Sequence, residues 1–134
     1  MNAFFDRYKP HLELLGRILI AFIFVGAGWS KIGGYEATAG YMQSMGVPGS
    51  LLPLVIFAEL GGGLAVIFGF LTRLAALGLA VFSILSALLF HANFGDQMQQ
   101  ILFLKNIAMA GGFLYLVANG AGRFSLDAKL FKST

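Results

Sequence analysis

The chain has 134 residues, of which 58% are hydrophobic and only 11% are charged. A soluble domain carries roughly 25% charged residues, and a domain of this size buries only about two-thirds of its chain surface. So much apolar surface excludes an ordinary soluble domain. We predict a membrane protein with a single domain over residues 1–134.

The chain contains no cysteine, which excludes disulfides, thiolate nucleophiles, zinc–thiolate sites and iron–sulfur clusters built from its own residues. The net charge is +3, but the basic residues flank the apolar runs and form no continuous stripe, so nucleic-acid binding is not expected. One histidine and one deep glutamate near each other are too few ligands to predict a metal site. Redox chemistry would therefore need a bound cofactor, a quinone or a partner protein.

Four apolar segments follow one another, at residues 12–32, 51–71, 74–90 and 101–118. Each is near the 17–25 residues that a helix needs to cross about 30 Å of hydrocarbon. The middle of the first loop, from Glu36 to Met45, predicts a short helix at the membrane interface. We therefore predict an all-α integral membrane protein, an antiparallel four-helix bundle with a short interfacial helix in the first loop.

The distribution of lysine and arginine predicts the orientation of the bundle. The two termini and the turn between the second and third segments are basic, whereas the other side holds only Lys31. The basic residues of the first side are Arg7, Lys9, Arg73, Arg123, Lys129 and Lys132. We expect a multi-pass protein of the bacterial inner membrane with both termini in the cytoplasm.

A polar cluster is predicted at the other end of the bundle, where the ends of segments one and three meet the starts of segments two and four. The groups concerned are Trp29, Lys31, Glu59, His91, Lys105 and Asn106. An ionisable group at the centre of a membrane helix costs roughly 2.5–3.5 kcal/mol, so it needs a partner or a function. Glu59 either pairs with a lysine to set the helix register, or exchanges protons or binds a polar headgroup.

The other ionisable residues each have two interpretations. His91 either relays protons, as histidine does near neutral pH, or simply lies at the interface. Lys105 either joins Glu59 or extends along the helix to the membrane surface. Arg17 lies toward the opposite end of the first segment, where we expect it to reach cytoplasmic phosphates; an inward-facing structural bridge is the alternative.

Five stretches of the sequence resemble those of the DoxX family. They are LLGRILIAFIFVGAGWSKI (14–32), YMQSMGVP (41–48), AELGGGLAVIFGFLTR (58–73), FHANF (90–94) and LKNIAMAGGFL (104–114). Together they cover nearly the whole chain, which is especially similar to the inner-membrane members of enterobacterial type. The resemblance implies a four-helix inner-membrane protein whose polar set is Arg17, Lys31, Glu59, His91, Lys105 and Asn106.

The resemblance also implies redox chemistry. The family takes its name from a small subunit of a thiosulfate:quinone oxidoreductase, and other members are linked to oxidative stress and quinone detoxification. No motif here binds thiosulfate specifically, so that substrate is not carried over. We expect a subunit that binds a quinone or another small redox ligand, with Glu59, His91 and Lys105 exchanging protons. The residues expected to bind the ligand are Arg17, Trp29, Lys31 and Asn106.

Whether the protein is itself an enzyme stays open; it would be at most an accessory subunit of a quinone-linked oxidoreductase. Quinone is the candidate cofactor, and the expected partners are the lipid bilayer, a membrane or peripheral oxidoreductase, and a second copy in a homo-oligomer. One alternative is a non-catalytic scaffold that docks a redox partner, with Glu59 and Lys105 as a register-setting pair. The other is a small transporter, for which four short helices leave a narrow lumen.

Overall fold

A computed structural model describes residues 2–131 of the protein; Lys132, which contributed to the predicted orientation, lies outside the described residues. Four helices are long and apolar enough to cross a membrane: α1 (Asn2–Gly33), α3 (Gly49–Phe68), α4 (Thr72–Phe90) and α5 (Gln97–Asn119). Two short helices accompany them, α2 (Tyr35–Ser44) in the first loop and α6 (Leu126–Phe131) after α5. The predicted all-α membrane architecture is confirmed.

Helix α1 begins at Asn2, well before the predicted start at residue 12. At about 1.5 Å per residue, its 32 residues are longer than the roughly 30 Å of hydrocarbon that a membrane helix must cross. The added turns carry Asp6, Arg7 and Lys9, which belong outside the hydrocarbon. Hydropathy did not reveal these turns because it reports preference for lipid and not the extent of a helix.

Backbone geometry moves two other helix boundaries. Helix α3 ends at Phe68, before the predicted residue 71, because Gly69 adopts the left-handed conformation with φ 70° that commonly terminates helices. Helix α5 begins at Gln97, before the predicted residue 101, because the Asp96 carboxylate accepts a hydrogen bond of 3.0 Å from the backbone N–H of Met98. Such a cap satisfies a donor that the first helical turn leaves free.

Helix α1 packs mainly against α3, and α4 packs mainly against α5. Two glycines allow α1 and α3 to approach closely. A Cβ atom on Gly28 would lie 2.9 Å from the backbone nitrogen of Leu60, and one on Gly63 would lie 2.9 Å from Cγ2 of Val25. Small residues at such crossings let membrane helices pack by van der Waals contact. The contact with Leu60 brings the end of α1 beside Glu59 of α3, whose side chain is buried.

The buried core lies midway along the bundle and combines small residues with a few aromatic ones. Its members are Ala21, Phe24, Val66, Ala76, Leu79, Ala80, Ala110 and Phe113. Phe24 meets Phe113 edge to face, with ring centroids 5.4 Å apart. Most other large apolar side chains are exposed on the outside of the bundle, as expected where lipid is the solvent.

Arg17 is buried, with 1% of its surface exposed, so the expected reach to membrane phosphates is wrong and the inward-facing bridge is correct. Its guanidinium donates to the carbonyls of Val66 and Ile67, each at 3.2 Å, and to that of Phe124. Carbonyls in the last turn of a helix lack partners further along that helix. Arg17 therefore joins α1, the end of α3 and the segment before α6.

Asp127 joins α6 to the turn between α3 and α4. Its carboxylate accepts from the backbone N–H groups of Leu71, at 2.6 Å, and Thr72, at 2.8 Å. Its own N–H donates to the carbonyl of Gly69 at 2.8 Å. This capping of α4 explains how the chain after α5 is held against the bundle.

Candidate ligand site around Glu59

Glu59 occupies an irregular turn of α3. Residues Phe57–Gly61 form a π-helical turn in the middle of this otherwise mainly α-helical span. Glu59 is 5% exposed, so its carboxylate is held inside the bundle. Single π turns within α-helices occur frequently at functional sites.

Lys31, from the last turn of α1, pairs with this carboxylate. Its Nζ lies 2.7 Å from Oε1 of Glu59, and the exposed fractions of the two side chains are 28% and 6%. The sequence left open which lysine would meet Glu59. Lys31 is the partner in the structure, because the close approach of Gly28 to Leu60 places the end of α1 beside the π turn.

His91 closes the end of α4 at the same end of the bundle. It is half-buried, and its Nδ1 lies 3.0 Å from Oε1 of Gln99 on α5. Because an amide oxygen accepts hydrogen bonds, Nδ1 carries the proton of this bond, which leaves Nε2 available to a second partner. This hydrogen bond anchors the His91 ring to α5.

An apolar groove of about 480 Å³ runs between α3 and α4 to these polar groups. This volume falls within the range of about 300–1,000 Å³ typical of small-molecule sites. Helix α2 covers one end, where Tyr41 stacks on Phe90 with ring centroids 5.8 Å apart and Met42 is buried. The remaining walls are mainly aliphatic and include Leu51, Leu54, Val55, Val81, Leu85 and Leu89.

A second cavity, of about 180 Å³, lies on the other side of the ion pair, toward α1 and α5. It is lined in part by Ser83, Asn106 and Met109. Five residues line both the groove and this inner cavity, and so form a partition between them: Lys31, Glu59, Phe82, Ser86 and His91.

The structure brings together some of the predicted site residues and separates others. Lys31, Glu59 and His91 meet at the partition, and Asn106 reaches the inner cavity, where its Nδ2 donates to the carbonyl of Ser83 at 3.3 Å. Lys105 is exposed and lines neither of the two cavities. The predicted meeting of Lys105 with Glu59 is therefore not observed.

The other departures concern Trp29 and Arg17, both expected to bind the ligand. Trp29 is 71% exposed and lies outside both cavities, whereas Arg17 lies at the opposite end of α1. Adjacent helical residues point about 100° apart, since a turn has 3.6 residues. Residues at nearly the same depth, such as Lys105 and Asn106, can therefore lie on different faces of the helix.

The comparisons with known proteins agree with this architecture. The sequence model of the DoxX family matches residues 12–92, a range that contains Lys31, Glu59 and His91. The chain belongs to the DoxX family.

This DoxX protein is 52% identical over 119 residues to the inner membrane protein YqjF of Escherichia coli (strain K12), across 89% of this chain and 92% of that protein. It is 33% identical over 132 residues to the inner membrane protein YphA of the same organism, across 93% and 94% of the two chains. A Bacillus subtilis (strain 168) protein named "Putative oxidoreductase CatD" is 29% identical over 123 residues, across 89% and 87%. No solved structure matches the chain.

Sequence reasoning missed two serines of this DoxX protein. Ser83 and Ser86 lie three residues apart on α4, an interval that places side chains on one helix face. A pair of hydroxyls at this spacing in an otherwise apolar segment was the signal that could have been used. Gln99 was also missed, because a glutamine near a loop gives no sign that it will hold a histidine.

Proposed function

We propose that this protein is an inner-membrane subunit that binds a quinone, or another small apolar redox ligand, in the groove between α3 and α4. The observation that carries the proposal is a groove of about 480 Å³ whose apolar walls end at an ion pair and a histidine. Such a site fits a ligand that has a large apolar part and a polar end. The basic residues around the termini support a cytoplasmic position for that side of the bundle.

The polar end of the groove suits quinone chemistry. The carbonyl oxygens of a quinone accept hydrogen bonds, and the ammonium of Lys31 offers N–H donors. Full reduction adds two electrons and two protons to the two oxygens of the ring. Protons taken up from water would pass to the ligand through Glu59 and His91, and a redox partner would supply the electrons. The name of the relative CatD, a putative oxidoreductase, supports a role in redox chemistry.

The ion pair also favours a second candidate, a scaffold without a ligand that docks a redox partner. A lysine and a glutamate held at 2.7 Å on two packed helices set the register between those helices. In this case the pair is purely structural, and Lys31 takes the place that the sequence had offered to Lys105.

The test is to purify the protein in mild detergent, extract any bound quinone, and then titrate a short-tailed quinone. Trp29 is the single tryptophan of the chain and lies two residues from Lys31, so quenching of its fluorescence reports binding. The proposal expects saturable quenching. Absence of both extracted quinone and saturable quenching would overturn the proposal and leave the scaffold.

A matched pair of glycine variants shows where the ligand binds. Gly78 lines the groove, and a Cβ there meets nothing within 4 Å, so Gly78→Leu adds an apolar side chain to the groove wall with no clash at Cβ. Gly26 also has open space around it and is exposed on α1, away from the groove. We expect Gly78→Leu to weaken quinone binding about tenfold or more, and Gly26→Leu to leave it unchanged. Equal affinity of the two variants would place the ligand elsewhere.

A further inference from the structure

We infer that the inner cavity behind the Lys31–Glu59 pair is a water site, and that its water links Glu59 with Ser83, Asn106 and His91. The role of this water as a proton route rests on the proposed ligand function; the hydration of the cavity does not. The chemistry of the cavity lining and its volume lead to this inference.

The cavity is large enough for several water molecules. Its volume is about 180 Å³, and a water molecule occupies about 30 Å³ in the liquid. Cavities that stay dry in proteins are lined by apolar groups. This cavity has a carboxylate, an ammonium, an imidazole, a carboxamide and two hydroxyls in its wall.

Ser83 supplies the observation that points most directly to water. Its side chain is 1% exposed, and its Oγ has no hydrogen-bond partner among residues 2–131. A buried hydroxyl without a hydrogen-bond partner destabilises the folded protein. A water in the cavity pairs with Ser83 and also reaches the other polar groups, since buried waters typically make about three hydrogen bonds.

The partition gives the water a role. Glu59, Ser86 and His91 line the inner cavity as well as the groove. The carboxylate therefore lies between the mainly apolar walls of the groove and a cavity lined by both polar and apolar side chains. The ion pair holds Glu59 as a carboxylate, so a water of the cavity first protonates it. The new O–H bond of Glu59 then breaks as an O–H bond forms on a ligand oxygen, and the transfer takes place twice for the two electrons that the redox partner supplies. Each time, the water that gave its proton is itself reprotonated through His91.

Radiolytic hydroxyl-radical footprinting of the protein in lipid bilayers, without added quinone, tests the water site directly. X-ray pulses produce hydroxyl radicals from water, and the radicals oxidise side chains beside that water. Met109 lines the inner cavity, whereas Met42 is buried in the wall of the apolar groove. Met98, 60% exposed at the start of α5, gives the reference rate. We expect Met109 to be oxidised several times faster than Met42.

Two variants test that this oxidation comes from cavity water. Ala27→Leu fills the inner cavity, whose wall includes Ala27, and should reduce Met109 oxidation to the rate of Met42. Ser83→Ala leaves the cavity open but removes one hydrogen-bonding anchor, and should lower Met109 oxidation. If Ala27→Leu does not fold, two measurements still test the water site: the oxidation of Met109 in Ser83→Ala, and the ratio of the Met109 and Met42 oxidation rates in the wild type. Equal rates at Met109 and Met42 in the wild type would overturn the water site.

The footprinting and the quinone titration test the water site and the proposed function separately. Gly78→Leu should weaken quinone quenching about tenfold or more and leave Met109 oxidation as in the wild type. A wet cavity in a protein that binds no quinone would overturn the proposed function and its proton route alone. A protein that binds quinone, but in which Met109 is oxidised no faster than Met42, would overturn only the water site.

Discussion

The Nζ of Lys31 lies 2.7 Å from Oε1 of Glu59, on two helices that approach closely where Gly28 faces Leu60. The carboxylate is nearly buried, whereas the ammonium keeps some exposure. One contact thus joins α1 to α3 and also lies at the polar end of the groove. Variants that remove one or both charges of this pair can therefore separate its effect on stability from its effect on ligand binding.

Breaking the pair from the lysine side should be more harmful than breaking it from the acid side. Lys31→Met leaves the buried Glu59 unpaired, and we expect a loss of about 1–3 kcal/mol, below the full cost of a completely buried pair because Lys31 is partly exposed. Glu59→Gln should cost less, since the lysine chain can extend to the membrane surface. Unfolding of the purified variants in mixed detergent measures both.

The double variant Lys31→Met/Glu59→Gln completes this cycle. With no charge left to bury, it should be more stable than Lys31→Met alone. Strictly additive losses would show that the two side chains contribute independently and that the pair does not set the register. Under the scaffold alternative the double variant also keeps its function, whereas under the ligand proposal it loses quinone binding.

The close contact of α1 and α3 should be sensitive to a single methyl group. Gly28→Ala places a Cβ at 2.9 Å from the backbone of Leu60, which must push the helices apart at a cost of about 1–3 kcal/mol. Gly26→Ala, where the added Cβ meets open space, is the matched control and should not destabilise. The same unfolding measurement checks both. A Gly28→Ala protein as stable as Gly26→Ala would show that the two helices can separate without loss.

Lys105 and Lys31 should differ sharply in ligand binding, although both were predicted to lie in one cluster. Lys31 lines the groove and Lys105 does not. Lys31→Met should therefore weaken quinone quenching of Trp29 by about tenfold, the value of one good hydrogen bond. Lys105→Met should leave it unchanged. A comparable loss from Lys105→Met would restore the arrangement predicted from the sequence.

Asp127 should stabilise the bundle without affecting the ligand. Asp127→Ala removes the acceptor of the Leu71 and Thr72 N–H groups, and loss of a helix cap typically costs about 1–2 kcal/mol. Limited proteolysis should then cleave more readily before α6, while quinone titration stays as in the wild type. Lys129→Ala, an exposed residue of the same helix, is the control. Unchanged proteolysis of Asp127→Ala would mean that other contacts hold α6.

The amino-acid sequence by itself determined the class of protein, the number of spans and the end of the bundle at which polar groups gather. These follow from quantities that are local to the chain. Hydropathy over about 20 residues measures the preference for lipid, and depth follows from the rise of about 1.5 Å per residue. The depths estimated in this way put Lys31, Glu59, His91 and Asn106 at one end of the bundle, and in the structure all four line the inner cavity.

Tertiary structure alone decided which way each polar side chain faces. Depth does not specify the direction around a helix axis, and that direction depends on which neighbour packs on which face. Gly28 against Leu60 selected Lys31 as the partner of Glu59, while Lys105 was left outside the bundle. Arg17 turned inward because the end of α3 and the chain before α6 offered it carbonyls, partners that no local pattern in the sequence could reveal.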